Sequence, residues 1–353
     1  MNGSAALHAI ETSDHVYRTV EGIALSGTWY RPLGAPEPMP LVIEIHGGAW
    51  TRNNLDVDYE RVISREDAHE LVPSGKVEFV SGNHVSTYAA RARGDTWTYV
   101  GQSMSSNYLA LITHPDTSIE KFADLRHRKV GARGNHPYLN TWLYLKQHGL
   151  DADRDEVEIV KRAQQDVTEP GKPKRKTLMA MVKDRDVDAC FLSQPSVELA
   201  RRAGLRVIDL EDQHMIFYMT MSTSNKMVDE KPDVVKRVLK GIIEGIAYFK
   251  INREETIKIL MNRYDNDGKL DRPMAEKLYN DLAPKLDPYL IPSLRSIYNV
   301  YQEALKQDEK NGDAKNIHPL ALWDFHFLRE IDDSGFIRNL YKDRPDLLTA
   351  HGG

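Results

Sequence analysis

The feature of this sequence that most restricts its fold is the order of its predicted elements. Two series of short strands alternate with helices, and each series is followed by an extended segment, near residues 105–114 and 211–222. After Pro232 the chain is predicted to be largely helical, because apolar residues recur there at a spacing of three or four. Alternating strands and helices are typical of mostly parallel sheets covered on both faces. The order therefore predicts an α/β fold with two lobes, two crossing strands between them and a helical C-terminal part.

The predicted elements follow from hydrophobic periodicity and from residues that begin or end helices. Strands or extended segments are predicted over residues 22–32, 41–45, 55–62, 77–80, 97–101, 107–113, 129–132, 157–160, 189–192, 205–210 and 215–222. Helices are predicted over residues 64–75, 85–93, 119–125, 138–149, 176–182, 196–204, 232–252, 254–264, 272–282 and 294–307. Ser64 and Ser196 are predicted N-caps, Pro137 and Pro232 helix starts, and Gly149 a helix end.

Length and charge limit the classes of function. The chain has 353 residues, of which 41% are hydrophobic, so it can bury the cores of two ordinary domains. Its formal net charge is -5, whereas nucleic-acid-binding proteins usually carry a basic face. Pro173 interrupts the one basic cluster, at residues 172–176, and Pro170 precedes it, which indicates a solvated loop. Nucleic acid is therefore not an expected partner.

The cysteine and the N-terminus bear on the compartment. Cys190 is the only cysteine, which excludes an intramolecular disulfide, and its apolar neighbours predict a buried strand residue rather than a nucleophile. The first twenty residues lack the basic and apolar regions of a secretory signal, and no run approaches the ~20 apolar residues of a membrane span. We therefore expect a cytoplasmic protein with no membrane span, or a periplasmic or extracellular one if the start of the sequence is truncated.

Motifs for metals and common cofactors are missing. The thirteen histidines form no HExxH pattern, and neither a paired CxxC nor an acidic calcium loop occurs. The phosphate-binding patterns GxGxxG and GxxxxGK[ST] are also missing. No metal and no cofactor are expected.

Several stretches carry a family resemblance, and their order and spacing are more specific than any one of them. They are LDVDYERV with SGKVEFVSGNHVSTYAARARGD, IEKFADLRHRKVGARGNHPYLNTWLYLKQHGLD, KTLMAMVKDRDVDACFLSQPS and KPDVVKRVLKGIIEGIAYFK. Here the chain resembles the type II periplasmic-binding-protein-like family, the solute-binding proteins of ABC transporters for nitrate, sulfonate and thiamine precursors. The resemblance implies a clamp that closes about the two crossings, with lobe 1 formed by residues 41–108 and 215–353 and lobe 2 by residues 112–212.

The same superfamily includes cytosolic enzymes, and the chain is similar in layout to 4,5-dihydroxyphthalate decarboxylase. The sulfinate-cleaving members use a cysteine early in the first lobe, and the thiamine-precursor synthases carry a cysteine-rich motif. Both features are missing from this chain. We therefore do not expect either of those two activities.

The N-terminal segment departs from this pattern. Residues 16–50 resemble the start of an α/β-hydrolase, in which the HGG sequence supplies oxyanion-hole amides. Residues 1–40 are therefore predicted to be an N-terminal extension, a hydrolase-like stub. The nearest match to a nucleophile elbow is residues 101–105, with Ser103 as the nucleophile. A complete hydrolase is disfavoured, because the residues after Ser105 are predicted to be extended rather than helical.

Polar residues occupy four junctions where a predicted strand ends, at residues 81–84, 102–103, 133–136 and 193–196. In open α/β sheets the ligand crevice forms outside the carboxyl ends of the strands, and the free N–H groups of helix starts bind anions. The junctions, the crossings and nearby aromatic residues supply the predicted ligand-binding set: Trp50, Ser81, Asn83, His84, Gln102, Ser103, Arg133, Asn135, His136, Gln194, Ser196, His214 and Tyr218. The alternative is that Asn83, Ser103, Asn135 and Ser196 are only helix caps, that the histidines are structural donors and that the aromatic residues pack in the core.

Two functions from different classes fit these residues. The first is binding of a small organic anion such as an aromatic carboxylate or sulfonate, with an ABC permease as partner if the protein is exported. The second is cofactor-independent decarboxylation or lyase chemistry on an aromatic acid. Its candidate catalytic residues are His84, Arg133 and His136, with histidine as the acid and the arginine as a bidentate carboxylate clamp. The missing export signal favours the enzyme, and the missing catalytic signature favours the binding protein.

Overall fold

A computed structural model describes twelve ranges of the chain. For the first two ranges it describes the backbone alone. The ranges are residues 10–20, 23–32, 50, 52–55, 57, 71–72, 74–82, 87–132, 137–161, 176–215, 220–263 and 270–348.

Up to residue 224 the described chain consists of strands with helices between some of them, and all described elements after residue 224 are helices. The strands are β1 (Ile10–Val20), β2 (Ile23–Pro32), β3 (Phe79–Ser81), β4 (Trp97–Gln102), β5 (Ser106–Asn107), β6 (Ala110–Thr113), β7 (Lys129–Gly131), β8 (Glu158–Val160), β9 (Ala189–Leu192), β10 (Arg206–Asp209), β11 (Gln213–His214) and β12 (Thr220–Ser224). The α-helices are α1 (Thr87–Ala92), α2 (Pro137–Gln147), α3 (Leu178–Lys183), α4 (Ser196–Arg202), α5 (Asn225–Glu230), α6 (Pro232–Ile251), α7 (Arg253–Arg263), α8 (Arg272–Lys285), α9 (Leu294–Gln307), α10 (His326–Asp333) and α11 (Phe336–Leu340). Short 3-10 helices cover Phe122–Leu125, Ala314–Asn316 and Pro345–Leu348.

The first two strands form an antiparallel hairpin, with Ile10 opposite Pro32 and Val20 opposite Ile23. A register irregularity between Val16 and Arg18 interrupts the pairing. The strand predicted from the alternation of residues 22–32 is thereby confirmed. The strand predicted at 41–45, the first seven residues of the helix predicted at 64–75 and the basic cluster up to Arg175 lie outside the described residues.

A sheet of three strands has the order β3-β12-β4, and both outer strands run antiparallel to β12. A sheet of five strands has the order β10-β6-β9-β7-β8, in which β6 is antiparallel to both neighbours while β7 is parallel to β8 and β9. One strand in each sheet departs from the predicted parallel arrangement: β6 runs against the other four strands of its sheet, and β12 runs against β3 and β4. The reason is that β6 and β12 enter their sheets from the edge at which the neighbouring strands end, so they run the opposite way.

Two paired strands connect these sheets. β5 lies antiparallel to β11, with Asn107 opposite Gln213, and the Met215 N–H donates to the Ser105 carbonyl at 3.0 Å. The chain therefore leaves the three-stranded sheet and returns to it along neighbouring paths. These are the two crossings predicted from the sequence.

The C-terminal helices form where caps and apolar stripes coincide. Pro232 occupies the first turn of α6, and Val235, Leu239, Ile242 and Ile246 on its apolar face are buried. The Asp271 side chain accepts from Met274 N at the start of α8, and Ser293 accepts from Ser296 N at the start of α9. All four helices predicted after residue 231 end within three residues of the observed ends.

The buried residues form separate cores. One core lies among α6, α7, α8 and the terminal helices, and it includes Leu239, Ile243, Leu278 and Tyr341. Two cores lie on the five-stranded sheet, one on each face. A further apolar cluster joins residues before the first crossing to residues of α2: Tyr88, Tyr99, Leu139, Leu143 and Met215 are among its members. The helices and sheets thus form two lobes with an apolar contact between them.

Three local predictions are corrected by the structure. The helix predicted at 119–125 is a short 3-10 helix, Phe122–Leu125. Ser196 is the first residue of α4 rather than its cap, because Pro195 occupies the cap position. Leu55 and Val57, predicted to begin a strand, have no strand conformation. Among the described residues, no helix is both long and apolar enough to cross a membrane.

Candidate functional site

The strand ends of the three-stranded sheet meet at one edge. Because β3 and β4 both run antiparallel to β12, their final residues lie beside its first residues, with Ser81 opposite Met221 and Gln102 opposite Thr220. The Gly82 N–H donates to the Thr220 carbonyl at 3.1 Å, which holds the end of β3 at this edge. Two of the four predicted junctions therefore converge where the crossings begin and end.

The five-stranded sheet presents its strand ends in the same way. Leu192, the end of β9, lies opposite Ala110, where the first crossing enters β6. β7 is parallel to β9, with Gly131 beside Cys190, so β7 also ends at this edge. The junctions after residues 131 and 192 therefore leave the sheet beside the crossings. Strand ends of both sheets thus border the crossings, which is the arrangement that forms a ligand crevice in open α/β sheets.

Gln102 is the most constrained of the predicted residues. It is 1% exposed, its side-chain N–H donates to the Met104 carbonyl at 2.5 Å, and its Oε1 accepts from the Thr220 hydroxyl at 2.5 Å. The amide therefore ties the start of the first crossing to the end of the second.

Ser103 follows Gln102 and is 3% exposed. Its carbonyl accepts from the Asp287 N–H at 2.8 Å. A hydrolase nucleophile stands on a turn from a strand into a helix, whereas Ser103 lies between β4 and β5. The geometry therefore gives no support to the serine hydrolase hypothesis.

Three buried or partly buried ionisable residues, Asp287, Lys250 and Tyr341, lie near Ser103, and sequence reasoning missed them. Burial raises the pKa of Asp287 and lowers the pKa of Lys250, whose ammonium donates to the Leu286 carbonyl at 3.0 Å. Burial also raises the pKa of Tyr341, and the charge of Asp287 adds to this effect. The sequence signal that could have revealed Lys250 is its position on the buried face of α6.

The predicted junction at residues 193–196 contains Gln194, Pro195 and Ser196. The peptide bond between Gln194 and Pro195 is cis, and Gln194 is buried. Ser196 is partly buried at the first position of α4, and the Val197 N–H donates to the Ser193 carbonyl at 3.1 Å. These residues lie at the strand edge that borders the crossings.

His214 lies on the second crossing, where α9 covers it. Its carbonyl accepts from the Asn299 side chain at 2.5 Å. Burial lowers the pKa of His214, and the nearby guanidinium of Arg295 lowers it further. Arg295 is exposed on the first turn of α9, so this helix brings a cation to the crossing.

A second missed pair links α2 to α9. Glu303 is fully buried, and its Oε1 accepts from the Asn140 side chain at 2.9 Å. Asn140 also approaches the Met215 sulfur at 3.5 Å, at the point where the second crossing leaves β11. Glu303 stands three residues after Val300 in the buried stripe of α9, and that position is the signal that could have identified it.

Trp50 does not join the strand ends. Its ring packs against Gly241 of α6, and it belongs to the margin of the C-terminal core. This favours the core-packing interpretation of that aromatic residue. The remaining predicted site residues lie outside the described residues: Asn83, His84, Arg133, Asn135, His136 and Tyr218. Among the residues that the structure describes, no group of three or more histidine, cysteine or acidic side chains is arranged to hold a metal ion.

Comparison with known sequences identifies relatives along most of the chain. The family profile described as "NMT1/THI5 like" matches residues 35–256. The 4-amino-5-hydroxymethyl-2-methylpyrimidine phosphate synthase of Candida albicans (strain WO-1) is 24% identical over 267 residues, which cover 70% of this chain and 76% of that protein. The synthase of the same name from Schizosaccharomyces pombe is 27% identical over 99 residues, which cover 28% of this chain and 29% of that protein.

Solved structures share the fold at low sequence identity. A protein assigned as the periplasmic sulfonate-binding protein of a sulfonate ABC transporter from Methylobacillus flagellatus KT has a TM-score of 0.62 and 15% identity, over 90% of this chain and 93% of that one. The alkanesulfonate-binding protein of Xanthomonas axonopodis pv. citri, bound to MOPS, has a TM-score of 0.52 and 14% identity, over 78% and 89% of the two chains. The two-lobed periplasmic-binding-protein fold expected from the sequence is confirmed.

Proposed function

This chain belongs to the NMT1/THI5-like family, and on that premise we propose that it reversibly binds a small organic anion between its two lobes. The observation that carries the proposal is the convergence of strand ends on the crossings. Ser81 and Gln102 end strands of one sheet beside β12, and Leu192 ends a strand of the other sheet beside β6. A molecule seated there would contact both lobes.

Three observations support an anion as the ligand. The 11-residue helix α2 is the first helix described after β7, and the free N–H groups at the start of a helix favour an anion. Arg295 brings a positive charge to the second crossing. The names of the similar proteins also agree in chemistry, because a sulfonate and a pyrimidine phosphate are both small organic molecules with an anionic group.

A second candidate is formation of such a pyrimidine phosphate. The match to the Candida synthase over 70% of this chain favours it. The absence of the cysteine-rich motif weighs against it, since the one cysteine, Cys190, is buried in β9. The decarboxylase alternative depends on His84, Arg133 and His136, which lie outside the described residues, so it stays a prediction.

The test is a thermal-shift screen followed by calorimetry, with alkanesulfonates, MOPS, aromatic carboxylates and phosphorylated pyrimidines as probes. We expect at least one anion to raise the melting temperature and to be recovered unchanged. A probe that is consumed would support an enzyme instead. If no probe stabilises the protein, the ligand class is wrong.

A substituted protein locates the site. Ser81→Trp places an indole at the convergent edge and should weaken binding at least ten-fold. The matched control is Ser118→Trp, because Ser118 is exposed beyond the opposite end of β6. Equal affinities for the two variants would contradict a site at the strand ends.

A transport role and a compartment are also proposals. We expect a cytoplasmic location, and a permease partner only if export occurs. Fractionation of cells that produce the full-length protein distinguishes the two locations. Recovery from the periplasm or medium would make the permease the expected partner.

A further inference from the structure

Two helices from different lobes face each other across a charged contact. Glu198 of α4 accepts from the Lys277 ammonium of α8 at 2.9 Å, and the two guanidinium nitrogens of Arg202 lie 2.7 and 3.3 Å from the carboxylate of Asp271. α4 packs on the five-stranded sheet through Val197 and Ala200. α8 packs on α6 and α7 through residues such as Leu278. These ion pairs therefore connect the two lobes rather than parts of one lobe.

A third ion pair lies where the same helix reaches the crossings. Lys285, in the last turn of α8, stands 3.2 Å from Asp212, which immediately precedes β11. Lys285 also contacts Asp281 of its own helix. Since a helix rises 1.5 Å per residue, Lys277 lies about 12 Å and Asp271 about 21 Å from Lys285 along α8. The contact thus runs outward from the crossings, and a hinge motion there would separate its outer pairs most.

The two contacts between the lobes differ in chemistry. The cluster of Tyr88, Tyr99, Leu139 and Leu143 is apolar and fully or nearly fully buried. The charged contact is half-exposed: the side chains of Lys277, Arg202 and Asp271 are 44%, 45% and 47% accessible. Exposed ion pairs are weak singly and are screened by salt, whereas apolar burial is not. Only the charged contact should therefore respond to ionic strength.

We propose that the ion pairs between α4 and α8 form a latch that biases the ligand-free protein toward the closed arrangement of its lobes. The strength of closure then depends on ionic strength. The latch adjoins the proposed site, because α4 begins at the junction that follows β9. Each outer pair that is lost should raise the ratio of open to closed molecules about two- to five-fold.

The experiment measures the distance between the lobes in ligand-free protein. Spin labels on Lys183→Cys and Asp343→Cys, both exposed and one on each lobe, report closed and open populations by double electron–electron resonance. Cys190 is buried and should escape labelling. Parent protein is compared with Lys277→Glu, which places a repulsive charge beside Glu198, at low salt and in 1 M NaCl.

We expect Lys277→Glu to raise the open population at low salt, and NaCl to raise it in the parent but little in the variant. The matched control is Lys258→Glu on α7, because Lys258 pairs with Glu255 of its own helix at 2.8 Å. The open and closed populations of this variant should equal those of the parent protein. Asp271→Asn is a milder second variant that should shift the populations the same way. Identical distances in parent and Lys277→Glu, with no effect of salt, would overturn the proposal.

Because no ligand is present, the outcome does not depend on the proposed function. A protein that opens with salt but binds none of the anions would support the latch and reject the ligand class. A protein that binds an anion but shows the same distance between the lobes in all variants would support the ligand class and reject the latch.

Discussion

The indole ring of Trp50 lies directly against the backbone of Gly241 in α6. A Cβ atom added at Gly241 would stand 2.5 Å from Trp50 Cε3, well inside van der Waals contact. The residues after Trp50 hold the same position, because Arg52 Nη2 lies 2.8 Å from Glu244 Oε2 and the Asn53 amide donates to Glu244 Oε1 at 3.2 Å. The lack of a side chain at Gly241 is therefore what lets this segment dock on α6.

Gly241→Ala should destabilise the protein by about 1–3 kcal/mol, the range expected for an overpacked contact. In a Trp50→Ala background the same substitution should stabilise it by up to about 1 kcal/mol, because alanine is a better helix former than glycine. Urea denaturation of the four proteins measures both changes. If Gly241→Ala changes the unfolding free energy in the same direction in both backgrounds, the contact with Trp50 is not what requires glycine at position 241.

The helices that were predicted most accurately are those whose own residues determine them. α9 was predicted at its observed bounds, and α6 to within one residue, because each combines a start signal with a long apolar stripe. The crossings were predicted because an extended segment followed each strand–helix series. The fold class followed from this local information and from the order of the elements.

What could not be predicted depends on contacts between distant segments. β6 and β12 run antiparallel because each begins beside the ends of its neighbouring strands. Local sequence patterns do not show which strands will be neighbours. The stacking of Trp50 on Gly241 and the bond between Asn140 and Glu303 also join residues far apart in sequence. Of the candidate site, the strand ends were predicted, but the partly buried Asp287 and the buried Lys250 near Ser103 were not.

Asn140→Ala should cost about 1–3 kcal/mol of unfolding free energy, because the buried Glu303 carboxylate loses a hydrogen-bond donor at 2.9 Å. Asn140→Asp should cost more, since it places two carboxyl groups together. Chemical denaturation gives the differences.

Lys146→Ala is the matched control for Asn140→Ala, because Lys146 also joins α2 to α9 but is exposed. The Lys146 ammonium donates to Gln302 Oε1 at 2.9 Å, and Lys146→Ala should change stability by no more than about 0.5 kcal/mol. Equal effects of Asn140→Ala and Lys146→Ala would show that burial of Glu303 adds nothing.

His148 should make stability depend on pH. Burial lowers its pKa below the ordinary value of 6.5, so in the interval between the two values the unfolded chain binds more protons than the folded one. Stability is therefore expected to fall as the pH drops from about 7 through 6.5 toward the folded-state pKa. His148→Phe keeps the ring that stacks on Phe122 at 4.2 Å between centroids and removes the titration. Unfolding free energies from pH 8 to pH 5 should diverge for parent and variant below pH 7; parallel curves would rule out this role.

Arg295 provides the last test of the proposed site. The guanidinium is close enough to the second crossing to lower the pKa of His214 there, and it is exposed to solvent. If the anionic group of the ligand binds near the second crossing, Arg295→Gln should weaken binding of a sulfonate such as MOPS about ten-fold, or about 1.4 kcal/mol. The loss should shrink in 1 M NaCl, because salt screens an exposed charge. The matched control is Arg329→Gln, an exposed arginine of α10 that lies 3.6 Å from Asp333 on its own helix. Calorimetric titration of both variants at two salt concentrations measures the effect. If Arg295→Gln and Arg329→Gln lower the affinity equally, binding depends only on the total charge of the protein. The anionic group of the ligand must then lie elsewhere along the convergent strand ends.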